Sequence, residues 1–462
     1  MQALEIVDKL AKTHGFEAYL TGGYVRDFVR KKTPKDVDIV VRGIELNHLS
    51  ELLKNYGLPI EAGNTFGVLL FKAFDGTDAQ ISLPRRARKV DRKTVVLDVD
   101  ANGTLLEDSR HRDFAMNAMF LPIGGKLKDI IDYHGGRSDI RNRRIRAVGS
   151  ARQRILEDPV RIMRAFSLSA RLGYRIDQRF LHATRRLSRK IRESAAERVR
   201  DELNKILLSK RPSQQLRQMQ RCGVLEYVLP FVSRNVGVKQ DKRFHKYDVF
   251  THLLRACDSA PPNLLLRMAA LLHDVGKYSV YEDDREANRI KFHNHEMAGE
   301  IMARNMLTQL MYPKAFVEDV SFLVRKHMYN YDRKWTNRAV RRFIRDVGIT
   351  AEDLDNLEAI PIFQLRVADR KGSGKKGKPI TKKQRDFEAR IRKCYVESTA
   401  LHVHDLEIDG HVLMEEFELT EGKIVGKTLQ HLFEYVLEHP KANNRDQLVE
   451  LAKEFIHQDE AK

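Results

Sequence analysis

The chain has 462 residues, more than one hydrophobic core organises, and its 42% hydrophobic and 32% charged residues describe a soluble, helix-rich protein of about three or four units. Its 83 Lys and Arg against 64 Asp and Glu leave a net charge of +19, which favours a polyanion such as nucleic acid as partner. Cys222, Cys257 and Cys394 lie too far apart for a disulfide framework or a zinc–cysteine site, and no apolar run reaches the roughly 18 residues of a membrane span, so a cytoplasmic protein with no membrane partner is expected.

In chain order, the first residues read as an amphipathic helix over Leu4–Leu10 rather than a signal peptide. A strand over Glu17–Leu20 follows, then a Gly22-Gly23 turn into a helix over Tyr24–Val29. Next come a strand over Val37–Val41, a helix over Leu49–Leu53 and a strand over Val68–Phe71. Residues 1–148 therefore form a mixed head, in an α+β chain. Residues 149–235 are helical throughout, with Arg and Lys on the polar faces, and form a neck. The polar stretch Arg234–Arg243 joins units. Residues 241–372 are helical again and hold most of the histidines, residues 370–379 are a Gly-Lys-rich break, and residues 380–462 are a helical tail.

The segment Thr21-Gly22-Gly23-Tyr24-Val25-Arg26-Asp27 runs from strand to helix. Glycines let backbone N–H groups approach phosphate oxygens, the helix N-terminus adds positive potential, and Arg26 sits in the first turn. Nine residues after Asp27 come Asp36 and Asp38, whose spacing of two on a strand directs both carboxylates to one face. Such a pair repels itself unless a cation intervenes, and Mg²⁺ suits oxygen ligands; two ions bridging a 3′-hydroxyl and a triphosphate would stabilise in-line displacement.

GGYVRD followed by KDVDIVV resembles the class II nucleotidyltransferases, the family of bacterial CCA-adding enzymes and poly(A) polymerases. Further matches follow in order: the segment Arg112-Asp113-Phe114 to Met119, the hinge-like Asp132 to Ile140, Glu157-Asp158-Pro159-Val160-Arg161-Ile162-Met163-Arg164, and Glu197 to Leu207. The resemblance implies a polymerase-β-like head followed by helical domains, and addition of CTP and ATP to the 3′ end of tRNA without a nucleic-acid template. It implies Mg²⁺ on Asp36 and Asp38, and triphosphate contacts from Gly22, Gly23, Arg26 and Arg112. Two positions depart from the family pattern: Gln80 stands where an acid is usual, with Asp78 two residues away, and Ser167 stands where many members have arginine.

Asp158, Arg161 and Arg164 recur every three residues on an expected helix that Glu157-Asp158-Pro159 begins. A carboxylate beside a guanidinium offers an acceptor next to donors. That matches the amine and ring nitrogen on the pairing edges of cytosine and adenine, and it is the role the resemblance implies for Asp158 and Arg161. Basic neck segments such as Arg185-Arg186 and Arg189-Lys190 suit an RNA backbone.

Leu271-Leu272-His273-Asp274-Val275-Gly276-Lys277 resembles the HD superfamily of metal-dependent phosphohydrolases. The resemblance implies one metal on His252, His273, Asp274 and Asp369, with His295 and His327 as extra ligands or phosphate contacts. Imidazole and carboxylate donors suit Mn²⁺, Ni²⁺, Co²⁺ or Mg²⁺. Removal of 2′,3′-cyclic or terminal phosphates would supply the free 3′-hydroxyl that polymerisation needs. Three alternatives remain open: a poly(A) polymerase, from which the stretch Asn64–Leu70 differs by lacking a basic aromatic signature; an enzyme adding only A or only CC; and an RNA-binding protein with a decayed site.

Overall fold

A computed structural model describes residues 2–460 apart from 62–66, 90–94, 285, 287–288, 330, 332–333 and 376–379, so part of the stretch Asn64–Leu70 lies outside the described residues. The chain divides into two compact units, one of residues 1–234 with 306–313 and the other of residues 235–305 with 314–462. Among the described residues, no helix is long and apolar enough to cross a membrane.

The first unit opens with α1 (Ala3–His14), where Ala3, Ile6, Val7, Leu10 and Ala11 recur as one buried stripe and Gln2 and Glu5 exchange capping bonds. It continues through β1 (Glu17–Thr21), α2 (Gly22–Val29), β2 (Asp38–Arg42), α3 (Leu46–Leu53), β3 (Gly57–Glu61), β4 (Val68–Ala73) and β5 (Asp78–Ser82). A two-stranded ribbon of β6 (Arg85–Lys89) and β7 (Val95–Val99) precedes α4 (Leu105–His111) and β8 (Phe120–Pro122). The main sheet has the order β3-β4-β5-β2-β1-β8, antiparallel throughout except for the parallel pair β2 and β5.

Alternation divides the faces of that sheet. Leu20, Ile39, Val41, Leu69, Phe71, Ala79 and Ile81 are buried on one face, against α1 and α3. The other face carries Asp38 and, directly opposite it in register on β5, Gln80. Asp36 does not share the strand as its spacing suggests. β2 begins at Asp38, Gln80 N–H takes the Val37 carbonyl at 2.8 Å, and Asp36 lies in the bend before this pairing starts.

After α5 (Gly136–Arg141), the next helices are α6 (Ala151–Glu157), α7 (Arg161–Leu172), α8 (Gln178–Leu187), α9 (Ala196–Leu207), α10 (Pro212–Arg221), α11 (Leu225–Val228) and α12 (Pro230–Ser233). Two features differ from an all-helical neck. β9 (Arg144–Ile145) and β10 (Arg175–Ile176) pair in parallel, and the expected helix carrying Asp158 is two helices. Pro159 disfavours helical backbone at the residue before it, so Asp158 is extended, with φ −152°, and forms the C-cap of α6 rather than part of α7.

The second unit holds α13 (Val249–Ser259), α14 (Leu264–Leu272), α15 (His295–Gln309) as far as residue 305, α16 (Lys314–Lys326), α17 (Asn337–Val347), α18 (Pro361–Gly372) and α19 (Lys382–Val396). A short hairpin of β11 (Glu282–Asp284) and β12 (Arg289–Lys291) interrupts the helices before α15. α18 runs into the expected break as far as Gly372, and residues 376–379 of that break lie outside the described residues. The tail helices α20 (Gly410–Glu416), α21 (Lys423–Glu438) and α22 (Arg445–Glu460) close over their own core around Leu413, Leu432, Phe433 and Leu448.

The register makes neighbouring leucines unequal. Leu69→Ala, on the core face, should cost about 2–5 kcal/mol, whereas Leu70→Ala, on the open face, should change stability by no more than about 0.5 kcal/mol. Hydrogen exchange of the β4 and β5 amides in the full chain reads the difference, and a larger loss for Leu70→Ala than for Leu69→Ala would mean a register shifted by one residue.

Candidate active sites

Gly22 turns the chain from β1 into α2 in a left-handed conformation, φ +63°, and a Cβ built there would lie 2.6 Å from Asp38 Oδ2. The carboxylate is pressed against the backbone bend and receives the Gly23 N–H. Burial pushes the Asp38 pKa up, and Asp36 beside it adds to the rise against the pull of Arg112, the Gly23 N–H and Arg164. This position disfavours negative charge and gains from a cation.

Three guanidiniums stand near, each held by its own acid. Arg26 grips Asp27 with Nε at 3.1 Å and Nη2 at 2.7 Å, and reaches Asn117 Oδ1 at 3.2 Å. Arg112, the C-cap of α4, donates to Asp108 Oδ2 at 2.7 Å and lies 5.0 Å over the Phe120 ring. Burial lowers its pKa, and Asp108 and Asp38 oppose that. Arg164, on α7, pairs with Asp113 Oδ2 at 2.9 Å, and this attraction raises its pKa against burial. These partners hold the side chains in single geometries before any phosphate arrives.

Asp158 and Arg161 line the same cavity but do not pair with each other. Asp158 is gripped by Arg198 of α9 through two bonds of 3.1 and 2.7 Å. Arg161 donates from Nη1 to Glu157 Oε2 at 2.9 Å and the Arg154 carbonyl at 3.0 Å, and from Nη2 to the His111 carbonyl at 2.8 Å. Two of its five N–H donors thus remain outside these bonds, and the Asp158 carboxylate keeps acceptor capacity beyond Arg198. The cavity measures about 940 Å³ and brings together Gly22, Gly23, Arg26, Asp36, Asp38, Arg112, Asp158, Arg161 and Arg164.

Asp108, which holds Arg112, carries no motif of its own in the sequence. Asp113, Asn117, Glu157 and Arg198 fall inside the matched segments, but their roles as partners of Arg164, Arg26, Arg161 and Asp158 show only in the folded chain. Ser167, at the departing position, is buried and donates its hydroxyl to Glu202 of α9 and to the Arg164 carbonyl at 3.2 Å. Gln80, the other departing position, is exposed and directly opposite Asp38 on the neighbouring strand.

In the second unit, His252 of α13, His273 at the end of α14, Asp274 and Asp369 of α18 converge. His252 Nε2 lies 3.0 Å from His273 Nε2, 3.3 Å from Asp274 Oδ2 and 3.1 Å from Asp369 Oδ1. His273 Nε2 is 3.3 Å from Asp274 Oδ2 and 3.6 Å from Asp369 Oδ1. The other oxygen of Asp274 faces a second pair, with His295 Nε2 at 3.2 Å and His327 Nε2 at 3.4 Å. Three of the rings spend Nδ1–H on a backbone carbonyl: His273 on Ala270 at 2.9 Å, His295 on Phe292 at 2.8 Å and His327 on Val324 at 2.6 Å. That fixes Nε2 as the inward atom. Lys277 Nζ donates to Asp274 Oδ2 at 2.5 Å and to Gln240 Oε1 at 2.9 Å.

Burial alone would lower the His273 pKa, but Asp274 and Asp369 reverse it and push it up to about 10. Burial likewise opposes ionisation of Asp274 and Asp369; Lys277 and His273 at Asp274, and the bonds from His252 and His273 at Asp369, hold both well below the usual carboxylate range. The donor set, imidazole nitrogens and carboxylate oxygens in two triads that share Asp274, fits divalent cations. Nucleotidyltransferase heads and HD domains work with divalent metals generally.

Three family models match the chain in order. Residues 18–146 match the poly A polymerase head domain, residues 173–235 the probable RNA- and SrmB-binding site of polymerase A, and residues 245–386 the HD domain. The A-adding tRNA nucleotidyltransferase of Deinococcus radiodurans is 33% identical over 48% of the chain and about half, 52%, of its own length. The CC-adding tRNA nucleotidyltransferase of Thermus thermophilus is 29% identical over 90% of the chain and 89% of its length. Among solved structures, the fold resembles the Bacillus stearothermophilus CCA-adding enzyme in complex with CTP, with a TM-score of 0.67 at 21% identity over 100% of this chain and 98% of that one. The Thermotoga maritima CCA-adding enzyme complexed with tRNA gives a TM-score of 0.53 at 17% identity over 98% and 94%. The multifunctional CCA protein of Neisseria meningitidis serogroup C is 32% identical over 68% of the chain and 72% of its own length, and with a head, an RNA-binding segment and an HD domain all matched, the chain belongs to this family of tRNA nucleotidyltransferases.

Proposed function

We propose that the chain adds C and A to the 3′ end of tRNA without a nucleic-acid template, from CTP and ATP, and that its HD domain is a phosphohydrolase. What supports the first activity is a single cavity of about 940 Å³ in which paired acids, triphosphate-type cations and a base-reading acid and guanidinium all meet. In this reading Asp36 and Asp38 hold Mg²⁺, which would lower the charge between the attacking 3′-hydroxyl and the triphosphate. Gly22 and Gly23 let the backbone approach the phosphates, and Arg26, Arg112 and Arg164 meet their negative charge. Asp158 accepts from the exocyclic amine of cytosine or adenine while Arg161 donates to the adjacent ring nitrogen. Glu157 holds Arg161 in place, and Arg198 holds Asp158. Uracil and guanine present a donor where Arg161 donates and an acceptor where Asp158 accepts, leaving buried polar groups unpaired.

In the HD domain, His252, His273, Asp274 and Asp369 hold one divalent ion, Mn²⁺, Ni²⁺, Co²⁺ or Mg²⁺. His295 and His327, with the second oxygen of Asp274, offer a neighbouring place. A divalent ion held there would supply Lewis acidity for hydrolysis of a 2′,3′-cyclic or terminal phosphate, in which water adds to phosphorus and the bond to O3′ breaks, freeing the 3′-hydroxyl that the first site extends. Among the relatives are A-adding, CC-adding and multifunctional CCA proteins, so the nucleotide set is what an assay must decide. The exposed Gln80 beside Asp38 favours one competing reading, an RNA-binding protein whose chemistry has decayed.

tRNA transcripts ending before the first C, after CC and after CCA separate these readings. CMP should enter the first and AMP the second when each nucleotide is supplied alone, with nothing added to the third. AMP tailing of every RNA would support a poly(A) polymerase, and no incorporation would support a binder. Asp38→Ala should abolish incorporation, by about 100-fold or more, and leave phosphate release intact, while His273→Ala should do the reverse. Loss of both activities in each folded variant would contradict two independent sites.

A pH effect follows from His273, whose pKa is raised from 6.5 to about 10 in the folded chain. Its stabilising charge is fully present below about 6.5 and is lost as pH rises through about 10, while the depressed Asp274 and Asp369 contribute down to acid pH. Metal-free protein should therefore melt at lower temperature as pH rises from 7 to about 10, and Mn²⁺ should suppress that slope. A flat profile without metal would mean that His273 is not charged there.

A further inference from the structure

The open face of the head sheet carries a feature that nucleotide binding leaves unused. The register places Thr21, Asp38, Gln80, Leu70 and Ile60 side by side at one level across β1, β2, β5, β4 and β3, all on the face opposite the core. The row begins at the buried hydroxyl of Thr21, passes the carboxylate and an exposed amide, and ends in two exposed aliphatic side chains. Ile60 is 49% and Leu70 45% exposed, and Leu58, on the same face of β3, is 60% exposed. Their neighbours on the reverse face, Leu69, Phe71 and Ile81, are fully buried, so the open side chains are not needed to hold the sheet. Exposing aliphatic groups in a row on a rigid sheet forgoes burial that a partner would recover.

We infer that the Ile60–Leu70–Gln80 row is a ledge for the 3′-terminal nucleotides of the RNA, which lays the last two bases along Leu70 and Ile60 with the terminal sugar toward Asp38. This deepens the nucleotidyltransferase reading and rests on it. The occupant is chosen by continuity and distance. Strands lie about 4.8 Å apart, so Leu70 is about 10 Å and Ile60 about 14 Å from Asp38 along the row, the span of one to two nucleotides whose terminal hydroxyl must reach the carboxylates. The Gly22 bend, Arg26 and Asp158 line the cavity on the α2 and neck side of Asp38, where the incoming nucleotide is expected; a second cavity runs from Asp38 to Gln80 and Val68, and the register continues the row from Gln80 to Leu70 and Ile60. A flat aliphatic surface buries a base without reading its edge, which suits a primer end whose last nucleotide changes after each addition. The amide of Gln80, neutral beside Asp38, offers a donor and an acceptor to a ribose without adding charge to the site. Lys72, exposed one pleat along β4 from Leu70 and in register with Leu58, supplies a cation for the phosphate between the two nucleotides.

The test pairs kinetics with crosslinking on the full chain. Leu70→Asp and Ile60→Asp, both on the open face, should raise the KM for tRNA at least about tenfold with little change in the KM for CTP or in melting temperature, and Leu70→Met should restore the tRNA KM. A transcript ending before the first C, with 4-thiouridine as its last nucleotide, should crosslink to peptides from β3 and β4 in the wild type. Wild-type incorporation with an unchanged tRNA KM in the variants, or crosslinks confined to the neck, would overturn the ledge and leave the nucleotidyltransferase reading standing. Absence of incorporation by the wild type would sink that reading, and the crosslink would then judge the ledge alone. If Ile60→Asp instead dissociates a dimer without altering the tRNA KM, the surface belongs to a second copy of the chain and the inference falls.

Discussion

The head is organised around a carboxylate held against a backbone bend. Gly22 can turn left-handed with Asp38 Oδ2 where its own Cβ would be, at 2.6 Å, and any other residue would drive the two apart. The packing puts the acid beside the N-terminus of α2, where phosphate oxygens are also welcomed. Burial and the adjacent Asp36 make the charge on Asp38 uncomfortable in the free protein. Stability lost at such a site is what a cation recovers on binding. The surrounding cations follow the same rule: Arg26, Arg112 and Arg164 are each restrained by one acid, which orients them without cancelling the positive field of the cavity.

The HD centre meets the same constraint with different chemistry. Carboxylates buried among imidazoles demand positive charge, which Lys277 and His273 supply beside them. Asp274 uses its two oxygens in two directions, toward His252 and His273 and toward His295 and His327. Lys277 keeps that carboxylate from rotating. The chemical link between the two sites is the 3′-hydroxyl, which a phosphohydrolase can expose and a nucleotidyltransferase must have.

Much of this was legible in the sequence where short spacing carries the chemistry. The strand–Gly-Gly–helix segment, the HD pair and most elements of the head follow from local pattern, because glycine freedom and side-chain periodicity act within a few residues. Legibility failed where long-range pairing decides. The two-residue spacing of Asp36 and Asp38 suggests one strand, but pairing with β5 begins only after Asp36. Three-residue spacing suggests one helix for Asp158, Arg161 and Arg164, and Pro159 breaks it. The partners of Asp158 and Arg161 proved to be Arg198, forty residues away, and Glu157, rather than each other. The short strands of the neck and HD regions rest on pairings that no local periodicity announces. Likewise, the exposed row beside Asp38 exists only once β3, β4 and β5 are in register.

The claim on which the account turns is that Asp36 and Asp38 draw a divalent ion to the Gly22 bend and set it against a nucleoside triphosphate. Anomalous scattering from crystals grown with CTP and Mn²⁺ tests it directly. The account predicts a peak roughly 2.0–2.3 Å from oxygens of both acids and of the triphosphate, with the cytosine amine on Asp158. An empty bend, with CTP bound elsewhere and Asp158 engaged only by Arg198, would contradict it.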